Sequence, residues 1–416
     1  MSRDRIFGLL GGRLSHSWSP EIHACLGGYE YRLFERGEDE IAGFLRSDEF
    51  EAINVTIPYK KAVMPYLCEI SPEARRIGSV NTITRTADGL QGDNTDYFGF
   101  SYMLDSAGIE VHGKKCLVLG SGGASVTACT VIGDRGGEAV VISRSGENNY
   151  NNLGRHIDAD VIVNTTPVGM YPDCGSAPLS LAGFRRLSGV VDMIYNPRRT
   201  ALLFEAERLG IPAAGGLTML VAQAVKANSL FFDRADEPDK AIIADVTERM
   251  RLMKSNIILI GMPGSGKSTA GRALAERLGR QFHDTDEEVT RLTGRTPADI
   301  IKTDGEAAFR AAEHEAVRGV GKLSGCVIAT GGGVVTYEKN RDPLRQNGII
   351  VFLERPPGKL SISGRPLSAA AGIDELYRRR LPLYLSWADC TALCEDDVDI
   401  TMRNILDASG MTGLLN

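Results

Sequence analysis

The sequence predicts an α/β protein of two or three domains, and three observations carry that expectation. Short apolar segments alternate with amphipathic helical stretches along the chain. Two glycine-rich loops, LGSGGAS at 119–125 and GMPGSGKST at 261–269, each sit between an apolar run and a helical pattern. The length, 416 residues, exceeds what one hydrophobic core encloses.

The apolar segments are RIFGLL, EAINVTI, KCLVLG, AVVIS, ADVIVN and GVVDMIY in the first half, then NIILIG, CVIATGGG and GIIVFLE. Their alternation with helical patterns predicts mostly parallel sheets. The polar stretch DRADEPDK, 233–240, reads as a linker, followed by the helical AIIADVTERMRLM. A boundary is therefore expected near Lys254, and VHGKKCLVLGSGGAS opens a second subdomain within the first half. Apolar residues make up 43% and charged residues 24%, which is ordinary for a folded chain. The net charge of −6 and the single short basic run, YRRRLPLY, argue against a nucleic-acid surface. No apolar run approaches the ~18 residues of a membrane span. Eight cysteines are scattered without zinc or disulfide spacing. The expectation is a soluble, cytoplasmic, reduced protein.

GMPGSGKST has the G-x-x-x-x-G-K-[ST] pattern in its strand–loop–helix setting. Backbone N–H groups from Gly261 to Ser268, with Gly264, Ser265 and Gly266 between, form an anion nest at a helix start. Lys267 is expected on the β- and γ-phosphates, Ser268 on Mg²⁺, and Thr269 beside them. No guanine-reading segment follows, and the remaining chain is too short for a motor ATPase, so a small-molecule kinase is favoured. Three later stretches bear on the acceptor. FHDTDEEV places Asp284 and Asp286 on one face of an extended segment, one near the metal and one near an acceptor hydroxyl. AAFRAAEHEAV sets Arg310 and Glu313 at i, i+3 on a helix, where the carboxylate holds the guanidinium. IATGGGVV offers Gly331, Gly332 and Gly333 for close backbone approach. Singly, a cap, a surface ion pair and a tight turn are the favoured readings of these stretches.

In this order after such a loop, the stretches resemble shikimate kinase. GRPLS resembles that family's lid, with Arg365 over the nucleotide phosphates, and RRRLPLYLSWAD its R-x-P-L-Y segment, with Arg380 on the substrate carboxylate. The segment before GRPLS departs from the family, being short with Pro356 and Pro357 where many members have a basic helix. Ser368 also replaces a common leucine. The resemblance implies a parallel α/β sheet like those of P-loop nucleoside-monophosphate kinases, over 255–416, using ATP and Mg²⁺. It also implies that Asp286 orients or deprotonates the shikimate 3-hydroxyl. Arg310, Arg380 and Gly331–Gly333 would hold ring and carboxylate, and Asp284 would reach Mg²⁺ through water. Lys267 and Arg365 would balance the phosphate charge.

In the first half, KCLVLGSGGASVTA is a dinucleotide-binding pattern that is weak on its own. Gly120, Ser121 and Gly122 would make the turn, with Gly123 and Ala124 allowing helix and backbone to approach. Arg144, flanked by Ser143 and Ser145, follows the next strand, where an acidic residue would favour NAD. An arginine there suits a 2′-phosphate, hence NADP, or is a surface arginine. Upstream, SHSWSP carries Ser17 and Ser19, NVTIPYKKAV carries Thr56 and Lys60, GSVNTI carries Asn81, and GDNTDYFGF carries Asp96. Caps, a turn and a solvated lysine would also account for each of these.

The ordered set resembles shikimate dehydrogenase, and continues through NTTPVGM, DMIYNPRRTALL and GGLTMLVAQAV. It implies a substrate-binding α/β lobe, residues 1–101 completed by helices at about 217–252, and a Rossmann NADP-binding lobe, 102–216. Ser17, Ser19, Thr56, Asn81, Tyr195 and Gln223 would bind 3-dehydroshikimate. The backbone at Met193 and Gly216 would meet the nicotinamide, and Lys60 with Asp96 would be the catalytic pair. His16 would only stabilise its turn. The chain would then join NADPH-dependent reduction of 3-dehydroshikimate to ATP-dependent phosphorylation of shikimate. The alternatives are an NAD-linked quinate or shikimate dehydrogenase, or one degenerate half kept as a ligand sensor or scaffold.

Overall fold

Three sheets organise the described residues, 5–234, 237–360 and 372–415, of the computed structural model. The chain divides into two units, Met1–Met250 and Arg251–Asn416, so the division falls inside the helix Lys240–Lys254.

The first sheet of unit one contains β1 (Ile6–Gly11), β2 (Glu30–Glu35), β3 (Ala52–Val55), β4 (Glu69–Ile70), β5 (Thr82–Thr86) and β6 (Gly89–Asp93). Its order is β2-β1-β3-β5-β6-β4. β1 pairs in parallel with β2 and β3, as the apolar runs predict. β5 is antiparallel to both β3 and β6, which departs from the parallel expectation. The reason is local: only Ala87 and Asp88 separate β5 from β6, enough for a hairpin and too few for a crossover. These strands, with β2, carry many polar and exposed residues, so no apolar run announces them.

The second sheet is wholly parallel: β7 (Lys115–Leu119), β8 (Glu138–Ile142), β9 (Val161–Asn164), β10 (Gly189–Asp192) and β11 (Ala213–Gly215), in the order β11-β10-β9-β7-β8. Val118, Val163 and Val191 face Phe100 and Leu104 on one side, while Leu117, Ile162 and Val190 face Leu202 on the other. After β11 the helix Leu217–Phe231 packs along the helix Thr95–Ser106 and reaches the first sheet, where Ala227 and Phe231 meet Phe7 and Ala52. Gly99 permits this approach, since a Cβ there would lie 2.7 Å from the Met219 carbonyl oxygen.

Unit two holds β12 (Asn256–Ile260), β13 (Phe282–Asp284), β14 (Val327–Ala329), β15 (Gly348–Glu354) and β16 (Cys390–Leu393), parallel in the order β13-β14-β12-β15-β16. Helices cover both faces, which is why β12 and β15 are almost continuously apolar. Among the described residues, no helix is long and apolar enough to cross a membrane.

One histidine is built into the core of unit one. His23 stacks on Tyr31, ring centroids 3.9 Å apart, and its Nδ1 lies 2.6 Å from the Tyr29 hydroxyl. Asn228 donates to that hydroxyl oxygen, leaving its proton for His23 Nδ1, so the ring is neutral. Burial pushes its pKa down to about 3. The unfolded chain, with a histidine pKa near ~6.5, takes up the proton first as pH falls. Stability is therefore present above that value and lost below it, by about 1.4 kcal/mol per pH unit. Urea unfolding of unit one between pH 7 and pH 4 should show this slope, and His23→Gln should remove that share of it; identical slopes in both proteins would refute the assignment.

Candidate active sites

In unit one a cavity of about 860 Å³ opens at the carboxyl ends of β1, β3 and β10. The loop after β1 brings Ser17 and Ser19, whose hydroxyls are 3.2 Å apart. β3 ends at Val55, so Thr56 and Lys60 follow at the edge. Lys60 Nζ lies 2.5 Å from Asp96 Oδ2, with the two side chains 29% and 20% exposed. Asp96 stands in the first turn of the helix Thr95–Ser106, where its N–H donates to the Asn94 cap at 3.1 Å. Asn81 Oδ1 accepts from the Thr95 N–H at 2.8 Å, and Thr95 Oγ1 donates to Gln223 Oε1 at 3.3 Å. Tyr195 meets Trp18 edge-on at 5.0 Å, and burial raises its phenol pKa. Met193 and Gly216 line the same cavity, as do Gly123 and Ala124. The structure thus gathers residues far apart in sequence around one ion pair.

The dinucleotide turn differs in part from expectation. Gly120 has φ +108°, and a Cβ there would lie 2.8 Å from Thr165 Oγ1. Gly122 and Gly123 meet nothing within 4 Å, and Ala124 is exposed, so close helix–sheet packing does not explain them. The buried Ala128 packs with Cys116, Val118 and Val163 of the sheet instead. The open helix start has no side-chain cap, leaving its N–H groups for an anionic ligand. Ser121 beside it is exposed. At the end of β8, outside the cavity, Arg144 and Ser145 are exposed and Ser143 is half-buried; Arg144 pairs with no carboxylate among the described residues. These groups fit a dinucleotide with a further phosphate.

Sequence reasoning missed Asn54, Ser79 and Thr127, which also line the cavity. Asn54 is buried, accepting from the Tyr31 hydroxyl at 2.8 Å and donating to Thr82 Oγ1 at 3.2 Å. A carboxamide inside the apolar run Ala-Ile-Asn-Val was the available signal.

Unit two has a cavity of about 570 Å³ at the carboxyl ends of β12, β13 and β14. Gly264 and Gly266, at φ +80° and +89°, turn the loop, and Lys267 Nζ donates to the carbonyls of Gly261 and Met262 at 3.0 and 2.8 Å. Thr269 lines the cavity. Ser265 lies buried in the loop, its hydroxyl without a hydrogen-bond partner among the described residues, and adds no side chain to the cavity. Ser268 Oγ donates to Asp284 Oδ2 at 2.6 Å, bringing together a hydroxyl and a carboxylate suited to a hydrated Mg²⁺.

Asp284 and Asp286 share the cavity, but not as alternate residues of a strand. β13 stops at Asp284, which caps the helix Thr285–Thr293 by accepting from the Asp286 N–H at 3.0 Å. Aspartate's preference for the cap position ends the strand before period-two geometry can apply. Arg310 Nη1 donates to Glu313 Oε2 at 2.7 Å, and Nη2 to Glu306 at 3.0 Å. Burial raises the Glu313 pKa, opposed by the Arg310 charge. Gly331 donates to Thr285 Oγ1 at 2.9 Å, while Arg380 Nη1 and the Tyr384 hydroxyl donate to the Gly332 carbonyl at 3.1 and 2.5 Å. A Cβ on Gly333 would sit 2.2 Å from Arg310 Nη2. Phe309 and Thr296 complete the wall and were not foreseen. Arg365 and Ser368 lie outside the described residues.

Fold and clefts together define a two-enzyme α/β chain, an oxidoreductase-type unit followed by a P-loop phosphotransferase. Comparison with known proteins follows the same division. The family model for the shikimate dehydrogenase substrate binding domain matches residues 9–83, and that for shikimate kinase matches 263–408. The shikimate dehydrogenase (NADP(+)) of Clostridium beijerinckii is 36% identical over 247 residues, 54% of this chain and 91% of that protein. The crystal structure of shikimate dehydrogenase 1 from Peptoclostridium difficile is similar at 38% identity and TM-score 0.54, over 59% of this chain and 97% of that one. A chorismate mutase/shikimate 5-dehydrogenase fusion from Clostridium acetobutylicum is similar at 36% identity and TM-score 0.56, over 59% of this chain and 96% of that one. The chain belongs to the shikimate dehydrogenase family and carries a shikimate kinase domain in the same polypeptide, a bifunctional shikimate-pathway enzyme.

The Gly333 geometry gives a direct test. Gly333→Ala forces Arg310 from its place at a cost of ~1–3 kcal/mol. Kinase kcat/KM should fall at least about tenfold, with dehydrogenase activity unchanged; an unaltered kinase would mean that Arg310 has room to move.

Proposed function

We propose that unit one reduces 3-dehydroshikimate to shikimate with NADPH, and that unit two phosphorylates the shikimate 3-hydroxyl with ATP and Mg²⁺. The observation that carries the proposal is that each cavity pairs groups for proton movement with groups for a hydroxylated carboxylate. Lys60 with Asp96 does so in one, and Asp286 with Arg310 and Arg380 in the other. The proposed lobes are residues 1–101 with 217–252, 102–216 and 255–416.

NADPH supplies the hydride. Lys60, held ammonium-side to Asp96, donates a proton to the oxygen of the reduced ketone, and Asp96 keeps it oriented. Ser17, Ser19, Thr56, Asn81, Tyr195 and Gln223 hold the substrate carboxylate and hydroxyls. Met193 and Gly216 back the nicotinamide, and Gly120–Ala124 take the pyrophosphate at the helix start. Arg144 with Ser143 and Ser145 meets the 2′-phosphate, which selects NADPH over NADH.

In unit two, Asp286 accepts the 3-hydroxyl proton, and Arg310, Arg380 and the backbone of Gly331–Gly333 hold the carboxylate and ring. The Gly264–Thr269 backbone and Lys267 offset the phosphate charge, with Arg365 assigned to the same task. Ser268 and Asp284 would hold Mg²⁺, which would offset further phosphate charge.

A coupled assay starting from 3-dehydroshikimate, NADPH and ATP should yield shikimate 3-phosphate. Lys60→Ala should lower dehydrogenase kcat/KM by ~10²–10⁴ while shikimate phosphorylation continues, and Lys267→Ala should do the reverse. Loss of both activities from either change, with folding intact, would contradict separate sites. The ratio of kcat/KM for NADPH to that for NADH should exceed about ten and collapse in Arg144→Ala; a preference for NADH would overturn the cofactor assignment.

A further inference from the structure

Asp192 ends β10, immediately before Met193 and close to Tyr195, both of which line the first cavity. Its carboxylate is fully buried, and none of the roles assigned so far uses it. Three donors converge on it. Oδ1 accepts from the Ile194 backbone N–H at 3.1 Å and from Asn164 Nδ2 at 3.0 Å, and Oδ2 accepts from Thr200 Oγ1 at 2.6 Å. The donors come from three places: the segment after β10, the end of β9, and the cap of the helix Ala201–Arg208.

The contacts continue outward from Asn164. Its Oδ1 accepts from the Thr166 N–H and hydroxyl at 3.0 and 2.7 Å. The adjacent Thr165 hydroxyl donates to the Leu119 carbonyl at 2.6 Å, and Thr165 stands against the dinucleotide-turn residue Gly120. One carboxylate thus ties together the carboxyl ends of β7, β9 and β10, the edge at which open parallel sheets bind dinucleotides.

Burying this carboxylate is costly, as its pKa, pushed up to about 6, records. An apolar residue would fill the same core without that cost. What only the carboxylate provides is a turn at the cavity wall, because acceptance from the N–H two residues on is an Asx turn. The turn sets Met193 and Ile194, and the Ile194 carbonyl in turn accepts from the Gly216 N–H at 3.0 Å.

We infer that Asp192 is a positioning residue for hydride transfer: through Ile194, Asn164 and Thr200 it fixes the Met193–Tyr195 wall where nicotinamide and substrate ketone meet. The inference rests on the dehydrogenase reading above. Asp192→Asn keeps the volume but removes the charge and one acceptor: its amide can face only the Thr200 hydroxyl, which must then stop donating and accept beside the Leu203 N–H, so the wall loosens. Hydride-transfer kcat should fall about 10- to 100-fold, since small misplacements cost that much. The primary isotope effect with deuterated NADPH should rise, because the hydride step then limits turnover. The NADPH Kd, read from nicotinamide fluorescence without turnover, should rise about 3- to 10-fold.

Thr200→Val, which removes one donor, should shift all three quantities less and in the same direction. A purely structural role would lower kcat only in proportion to the folded fraction, with isotope effect and Kd unchanged, and that result would overturn the inference. If Asp192→Asn does not fold, Thr200→Val decides, and unchanged isotope effect and Kd there overturn it too. Should the wild-type chain fail to reduce 3-dehydroshikimate, the proposed function falls, while the NADPH Kd values still judge Asp192.

Discussion

The first cavity depends on one close approach, that of the helix Leu217–Phe231 to the helix Thr95–Ser106 at Gly99. With no side chain between them, the helices come near enough for Gln223 to meet Thr95, and Thr95 is held from the other side by Asn81. Asp96 is the next residue, so the position of the Lys60 partner follows from how the helix start is clamped. Unit two solves the same problem with glycine on the other partner. Bare backbone at Gly331, Gly332 and Gly333 lets Asp286, Glu313, Pro263 and Arg310 crowd one strand end. In both units, side-chain chemistry is placed by removing side chains elsewhere.

The two principal ion pairs serve different ends, and their burial says which. Lys60 and Asp96 are each partly exposed, so both charges are affordable and the ammonium remains open to a ligand. Arg310 and Glu313 are buried, and the desolvation that raises the Glu313 pKa is the cost of aiming one guanidinium. A second carboxylate, Glu306, and the face of Phe309 at 5.1 Å narrow its freedom further. The first pair leaves an ammonium reachable from the cavity; the second holds a guanidinium in one direction.

What was legible in the sequence was whatever a local pattern controls. The phosphate loop, the i, i+3 pair Arg310–Glu313 and the continuous apolar strands of the parallel sheets depend on neighbours in the chain. What was not legible depends on competition between local preferences or on distant partners. The Asp284–Thr285–Asp286 segment satisfies both strand alternation and helix capping, and capping wins because a free helix N–H must be satisfied. The β5–β6 hairpin is half-exposed and polar, so hydrophobic periodicity is silent there. Gly123 and Ala124 suggested close packing, yet they face open space beside the cavity. Asn54 gave a signal, a polar residue in an apolar strand, whose meaning required Tyr31 and Thr82 to be in view.

Three buried polar groups of unit one share a rule of placement. Asn54, Asn164 and Asp192 are all nearly or fully inaccessible, and all stand at or next to the carboxyl ends of their strands. At those ends the backbone leaves the ladder, and its N–H groups and carbonyls need new partners before they can be enclosed. A short carboxamide or carboxylate meets that need and turns the chain at the same step. An apolar side chain would leave the backbone unsatisfied and free to find other conformations. The polar residues therefore cost desolvation but reduce the number of ways the cavity wall can be built, which is the condition for holding bound groups in one geometry.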